Sequence, residues 1–396
     1  MTTTTITTID TTVTVELRSG ATTPSVLHVA QPVDGGVARY VVDAATDQIA
    51  RGFTVTVACP ATGWLPQELD RRGIARVEWN ARRAPGPTVP AETAALRRIV
   101  ADVTPDLVHL HSAKAGLAGR LALRGALPTL FQPHGWSWLA ATGAIATVSR
   151  VWERFATRWA DAIVAVGAGE AAQGVDGGID AGKSRVEVVR NGVDLSRFEI
   201  ADTAAQAAAR AALGLDTMAP LAVCPARWAR QKGQDVLLAA WAAVRERCPN
   251  AQLALVGGDV PAELADDLPE GVLLVGDVND VRPWLTAADV VVLPSRWEGL
   301  SLALLEAIAT GRSTVVSDIP GLADVVDATI GATVPVEDVA ALADALADRL
   351  ADPALTMTEG TAAAAAAAGL DARITFETLA GLVQDVLSRR TAVVAA

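Results

Sequence analysis

Hydrophobic and polar positions follow a repeating rhythm along this chain: short apolar runs, each followed by a longer stretch with helical spacing. In the first half the apolar runs fall at residues 25–30, 53–58, 74–78, 107–110, 128–132, 161–166 and 186–189. In the second half they fall at 221–224, 252–256, 272–275, 289–293, 314–317 and 331–334. Runs this uniformly apolar predict strands covered on both faces, and the amphipathic stretches between them predict the crossover helices of parallel sheets. The rhythm breaks at 195–215 and restarts, which predicts two doubly wound α/β domains facing a cleft. The expected organisation is a first domain over 24–195, a linker over 196–217, a second domain over 218–373 and a closing segment over 374–396. Residues 1–23 are threonine-rich, lack the apolar core of a secretory signal and read as a disordered tail.

Composition narrows this picture. A chain of 396 residues exceeds one ordinary core. It is 51% apolar without an uninterrupted apolar stretch long enough to span a bilayer, so a soluble protein is expected. The cysteines, Cys59, Cys224 and Cys248, sit in or beside apolar segments without metal-ligand spacing, which predicts reduced, buried thiols in a cytoplasmic protein. A net charge of −12 opposes nonspecific binding to nucleic acid or anionic lipid by charge alone. Local patches are another matter: Arg82, Arg83, Arg150 and Arg154 either offer charge to a phosphorylated or lipid-linked partner or are ordinary surface arginines, with peripheral membrane contact at most.

The candidate chemistry begins with two carboxylates. Glu298 follows the apolar run 289–294, and Glu306 lies inside a run of Leu, Ala and Ile that reads as a buried helix. A buried carboxylate is costly unless something polar meets it. A hydroxyl-rich ligand at the carboxyl end of a parallel strand accounts for both; a solvated loop residue and a capping residue are the alternative. The segment 225–233 supplies the complement, since Arg227 and Lys232 lie at a strand-to-helix turn. The planar fork of the one and the point charge of the other suit a diphosphate. Gly35 and Gly36, directly after the first strand, let backbone N–H groups approach an anion, or form a simple tight turn. His109 and His111 share a side of their strand, but no third ligand is evident, so packing or hydrogen bonding is favoured over metal. Lys114, at a helix start, opposes the macrodipole and is a candidate anion contact. His134, beside Gly135 and past a strand end, is the better functional histidine, and Trp136 and Trp138 offer flat faces to a sugar or to the core.

Together these pieces, with residues 31–37, 106–116, 133–135 and 191–194, resemble the retaining glycosyltransferases of GT-B architecture called family 4, over residues 25–387. The resemblance implies transfer of a sugar from a nucleoside-diphosphate sugar, UDP- or GDP-linked, to a glycan, lipid-linked or small-molecule acceptor, with no tightly bound cofactor. It implies that His134 and Glu298 meet the sugar, that Arg227 and Lys232 stabilise the departing diphosphate, and that Glu306 holds the ribose. Gly35 and Gly36, with the N–H groups of Gly299, Leu300 and Ser301, would meet the diphosphate. Gly257 and Val278 would approach sugar and base, and the last helix would cross back to the first domain. No Asp-x-Asp occurs, which opposes a metal-dependent GT-A enzyme, and no metal site is expected. Two rivals carry other functions. Gly167-x-Gly169 after a strand fits a dinucleotide turn of an NAD-dependent oxidoreductase, although residues 174–182 break the helix behind it. A noncatalytic sugar-nucleotide-binding protein is the second.

Overall fold

The computed structural model describes residues 4–8, 11–15, 23–179, 185–258 and 268–395. Where composition suggests a disordered tail, β1 (Thr4–Thr8) and β2 (Thr11–Val15) pair antiparallel. Threonine is β-branched and favours extended backbone, so a threonine-rich stretch carries strand propensity as well as polarity.

The first domain alternates strands and helices: β3 (Ser25–Ala30), α1 (Gly35–Ala50), β4 (Thr54–Cys59), α2 (Trp64–Arg71), β5 (Ala75–Glu78), α3 (Val89–Val103), β6 (Leu107–His111) and α4 (Ser112–Leu123). It continues through β7 (Thr129–Gln132), α5 (Gly143–Ala156), β8 (Ala162–Ala165), α6 (Ala168–Asp176) and β9 (Arg185–Val188). Its sheet is parallel in the order β5-β4-β3-β6-β7-β8-β9.

The second domain opens with α7 (Thr203–Ala212), inside the expected linker. It continues with β10 (Leu221–Pro225), α8 (Gln234–Arg247), β11 (Gln252–Val256), β12 (Val272–Gly276), α9 (Arg282–Ala287), β13 (Val290–Leu293) and α10 (Leu302–Ala309). It ends with β14 (Ser313–Ser317), β15 (Gly331–Val334), α11 (Val339–Ala351), α12 (Pro353–Ala366) and α13 (Ala372–Ala395). Its parallel sheet runs β12-β11-β10-β13-β14-β15. Helix α7 is fastened here by Arg210, which pairs with Asp289 at 2.7 Å, and by Gln206, which donates to the Ala288 carbonyl at 2.9 Å.

Each expected run forms a strand, displaced by a residue or two at some ends. Central strands β3, β6, β10 and β13 are buried almost throughout, as sheets covered on both faces require. The free thiols are buried too, and burial pushes Cys59 up to about 11 and Cys224 up to about 12. Strand order reverses between β3 and β6 in one sheet and between β10 and β13 in the other. Ligand crevices of open α/β sheets form outside the carboxyl ends of strands at such points.

The chain joins the domains twice at one place. Val193 donates to the Leu370 carbonyl at 2.7 Å and accepts from the Ala372 N–H at 3.0 Å, while the Thr375 hydroxyl donates to the Arg190 carbonyl at 2.7 Å. Helix α13 then returns to the first domain. Leu379, Val383 and Val386 join its core with Val26 and Val41, and Arg390 pairs with Asp161 at 2.7 Å. Gly192 makes the double crossing possible, since a Cβ there would lie 2.6 Å from the Ala372 backbone. The substitution Gly192→Ala is expected to destabilise the protein by about 1–3 kcal/mol, as other overpacking changes do. Gly381→Ala, on an exposed and open stretch of α13, is expected to stabilise by about 0.5–1 kcal/mol. Thermal denaturation of the two variants side by side checks this, and equal midpoints would refute the packing argument.

Candidate functional site

In the second domain the turns after β10 and β13 are pressed together. Gly233, at φ 68°, lies where a Cβ would come 2.0 Å from the Pro294 carbonyl oxygen, so only glycine permits the approach. The approach seats Lys232 Nζ 2.5 Å from Glu298 Oε1. Glu298 also accepts from the Ser295 hydroxyl at 2.9 Å and from Gln231 Nε2 at 3.3 Å. A carboxylate that is 7% exposed therefore has a cation and two neutral donors. Arg227 stands on the same turn, where partial withdrawal from water and Arg83 of the first domain oppose its charge and Glu298 favours it. Two arginines from opposite domains thus bring positive charge to one part of the cleft.

Glu306 lies one helical turn into α10. Its Oε1 is 3.8 Å from Arg39 of α1, a weak pair that crosses the cleft, and Arg39 also lies over the Trp64 ring. Burial pushes Glu306 up to about 7, against the charges of Arg39 and Arg197, while Asp280 and Asp43 act with burial. Gly36 lies beside Leu302 at the start of this helix, so the glycine turn of the first domain faces the amino end of α10.

All four histidines of the chain gather at the first domain's switch point. Strand register pairs His28 with His109 and sets His111 beside Gln132. Gln48 Oε1 bonds His28 Nε2 at 2.8 Å, His28 Nδ1 bonds His111 Nε2 at 2.9 Å, and His111 Nδ1 bonds His134 Nε2 at 3.1 Å. An amide oxygen only accepts, so His28 donates to Gln48, His111 donates to His28, and His134 donates to His111. The order leaves His134 Nδ1 as an acceptor. Burial drives all four rings toward the neutral form, with His28 near 4 and His134 near 3.

No third ligand is near His109 and His111 in the sequence, but the fold brings one: single ring nitrogens of His28, His109 and His111 lie within 4.8 Å of one another. The 2.9 Å bond between His28 and His111 uses one lone pair and one proton, however, so these two atoms do not both present lone pairs to a shared ion.

His134 sits at φ 54°, a left-handed conformation uncommon for a residue with a side chain. Glu170 holds the turn, accepting from the backbone N–H groups of Gly135 and of Val166, the latter at 2.8 Å. Fully buried, Glu170 is itself pushed up to about 7. A Cβ on Gly299 would lie 3.0 Å from the Gly135 nitrogen and 3.2 Å from the His134 carbonyl carbon. The His134 turn and the Glu298 turn therefore meet backbone to backbone.

Gly35, Gly36, His134, Gly299, Leu300, Ser301 and Glu306 are thus gathered where the domains face each other, with Lys232 and Glu298 behind the same turn and Arg227 beside it. Gly257 serves a local need, since its Cβ would crowd the backbone of Ala226 and Arg227, and Val278 packs at the edge of the second domain's core. Lys114 turns inward instead of facing an anion: it is buried and paired with Glu92 at 2.9 Å. Trp136 and Trp138 stack on each other in the core, with the Trp136 indole donating to the Glu170 carbonyl at 2.7 Å. The Gly167-x-Gly169 turn faces the other domain, with Gly167 against Leu300 and the Gly169 N–H donating to Asp324 at 2.6 Å. That contact explains the glycines without a dinucleotide. His28, Gln48, Glu170, Ser295 and Gln231 carry no motif that marks them in the sequence; the one local signal is a histidine within the apolar run of β3.

Two doubly wound domains that meet across the carboxyl ends of their strands define the GT-B class of glycosyltransferases. Residues 34–197 match the family described as Glycosyltransferase Family 4, and residues 219–352 match that described as Glycosyl transferases group 1. Alpha-maltose-1-phosphate synthase of Mycolicibacterium smegmatis is 32% identical over 270 residues, covering 61% of this chain and 69% of that one. D-inositol 3-phosphate glycosyltransferase of Streptomyces avermitilis is 37% identical over 205 residues, 47% of this chain and 43% of that one. Alpha-maltose-1-phosphate synthase of Mycobacterium tuberculosis is 31% identical over 305 residues, 68% of this chain and 78% of that one. Among solved structures, sucrose-phosphate synthase from Thermosynechococcus elongatus has a TM-score of 0.79 at 23% identity, covering 92% of this chain and 100% of that one. HepE of Anabaena, in complex with UDP and glucose, has a TM-score of 0.75 at 20% identity, covering 91% and 99%. At these identities the structural likeness is one of fold. The chain belongs to the family 4, group 1 glycosyltransferases.

A carboxyl raised to about 7 in the folded state keeps its proton where the unfolded chain has lost it, so the native state becomes relatively less stable as pH rises from about 4.5 to about 7. Glu306→Gln removes that dependence. The melting temperature of Glu306→Gln is expected to gain on wild type as pH is raised through this window, with the difference levelling above it; a constant offset would show that Glu306 titrates normally.

Proposed function

We propose that the protein transfers a sugar, with retained anomeric configuration, from a nucleoside-diphosphate sugar to an acceptor hydroxyl. The observation that carries this reading is the meeting of the Lys232 and Glu298 turn with the His134 turn, with Arg227 and Glu306 beside it. Glu306 accepts hydrogen bonds from the ribose hydroxyls, and Arg39 gives up its long contact to admit them. Arg227, Lys232 and the N–H groups of Leu300 and Ser301 at the start of α10 hold the diphosphate from the second domain. Gly35 and Gly36 close over it from the first. Glu298 accepts from hydroxyls of the transferred sugar, and His134 lies against the same sugar with its Nδ1 lone pair available to a hydroxyl.

The bond between the anomeric carbon and the diphosphate oxygen breaks, and a bond to the acceptor oxygen forms on the same face. The acceptor proton passes to the departing phosphate oxygen, so no protein nucleophile is needed. Negative charge grows on the diphosphate as the bond breaks, and fixed cations stabilise it more in the transition state than in the ground state. UDP is the first nucleotide to test, because HepE is described with UDP and glucose; a relative in Corynebacterium glutamicum is named a GDP-mannose-dependent mannosyltransferase, which makes GDP the second. The acceptor is a glycan, a lipid-linked sugar or a small molecule bearing a hydroxyl.

Incubation with UDP-, GDP- and ADP-sugars, without acceptor, is expected to release nucleoside diphosphate slowly from one of them. Release from none, with tight binding of NAD, would overturn the reading. Glu306→Ala is expected to weaken nucleoside-diphosphate binding by roughly 10- to 100-fold, the worth of hydrogen bonds to a charged group. Arg227→Ala is expected to lower turnover by about 10²–10³-fold. Glu298→Ala, which also loosens the turn, is expected to lower turnover by more than it lowers nucleotide affinity. Calorimetric titration and product release measure the two effects separately, and indifference of both to all three substitutions would sink the assignment.

A further inference from the structure

Helix α5 carries its apolar residues on the outside. Ile145 is 69% exposed, Val148 67%, Val151 59% and Phe155 43%, and the spacing of three, three and four residues puts them along one side. Between 143 and 159 the acidic side chain is Glu153 alone, and it is buried in a 2.5 Å pair with Arg120. Arg150, Arg154 and Arg158 are exposed in the same stretch. Trp152 and Trp159, each half-buried, lie at either side of Phe155, with ring centroids 6.2 and 5.1 Å from it. The exposed surface of α5 and the turn behind it is therefore apolar, aromatic and positive, on a chain whose net charge is −12. A helix of this kind gains by lying in the interface plane of a bilayer, its apolar side chains among the acyl chains and its arginines at the headgroups.

We propose that α5 docks the protein onto an anionic membrane surface. Charge complementarity selects this occupant. A twofold contact between copies of the chain would set Arg150, Arg154 and Arg158 near their own counterparts, whereas an anionic leaflet pairs each of them. The remaining surface is acidic in sum and is repelled by such a leaflet, which leaves α5 as the face that approaches. No helix among the described residues is long and apolar enough to cross a membrane, so the attachment is lateral. The helix is also tied to the cleft. The chain runs from the His134 turn through the stacked Trp136 and Trp138 into α5, and Arg150 lies over the Trp138 ring.

The test uses the full chain with vesicles of phosphatidylcholine alone and of phosphatidylcholine with one-third phosphatidylglycerol. Wild type is expected to co-sediment with the second and not the first, and to be released as salt rises. Val148→Asp, and separately Arg150→Gln with Arg154→Gln, are expected to reduce co-sedimentation at least tenfold while leaving melting temperature and nucleotide binding unchanged. Unchanged nucleotide binding keeps this result separate from the reading of the cleft. The proposal is overturned if wild type stays in solution with both vesicles, or if the variants bind as wild type does. It is equally overturned if wild type forms a dimer in analytical ultracentrifugation that Val148→Asp dissociates, since a second copy then covers the face.

Discussion

The site depends on the ion pair of Lys232 with Glu298. The Glu298 carboxylate alone in so buried a place would be costly, and it is tolerable because Lys232 lies 2.5 Å away with Ser295 and Gln231 filling the remaining positions. The pair needs two strand ends to come within contact, which is why Gly233 must lie against the Pro294 carbonyl. Once made, it fixes the turn from Trp297 to Ser301 and so the start of α10. The position of Glu306, one turn along that helix, follows from the same contact.

The domains are held in register by means that do not involve the site. The chain passes between them at Val193 and again at Leu370, and these crossings bond to each other. Helix α13 continues past the second crossing and buries Leu379 and Val383 in the first domain, so the connection is made by a packed helix as well as by two strands of chain. Asn191, just before the crossing, donates to the Leu300 carbonyl at 3.0 Å. The joint and the turn that carries Glu298 are thereby neighbours.

The order of strands was legible because each is buried on both faces and its residues say so locally. The carboxylates and cations of the second domain were legible for a related reason: charge in or beside an apolar run is unusual enough to stand out. What stayed hidden is long-range. His28 meets His109 only through sheet register, and nothing near residue 28 announces a partner at 109. Lys114 does sit badly against the helix dipole, but the remedy is Glu92 on α3 and not a ligand. Gly167 and Gly169 match a dinucleotide turn because any close approach asks for glycine, and here the approaching group is the other domain. The ladder at Thr4–Thr8 and Thr11–Val15 was hidden by composition, since repeated threonine looks polar and simple while favouring extended backbone.

The meeting of Gly135 with Gly299 sets the height of the slot between the domains. With peptide groups in contact there and no side chain between them, the spacing is a property of the backbone and would be the same for any residues that line the rest of the cleft. Widening of the slot therefore cannot proceed by trimming at this point, because nothing remains to trim. Room has to be gained sideways, at His134 or along the first turn of α10, while the ceiling stays where the two glycines put it.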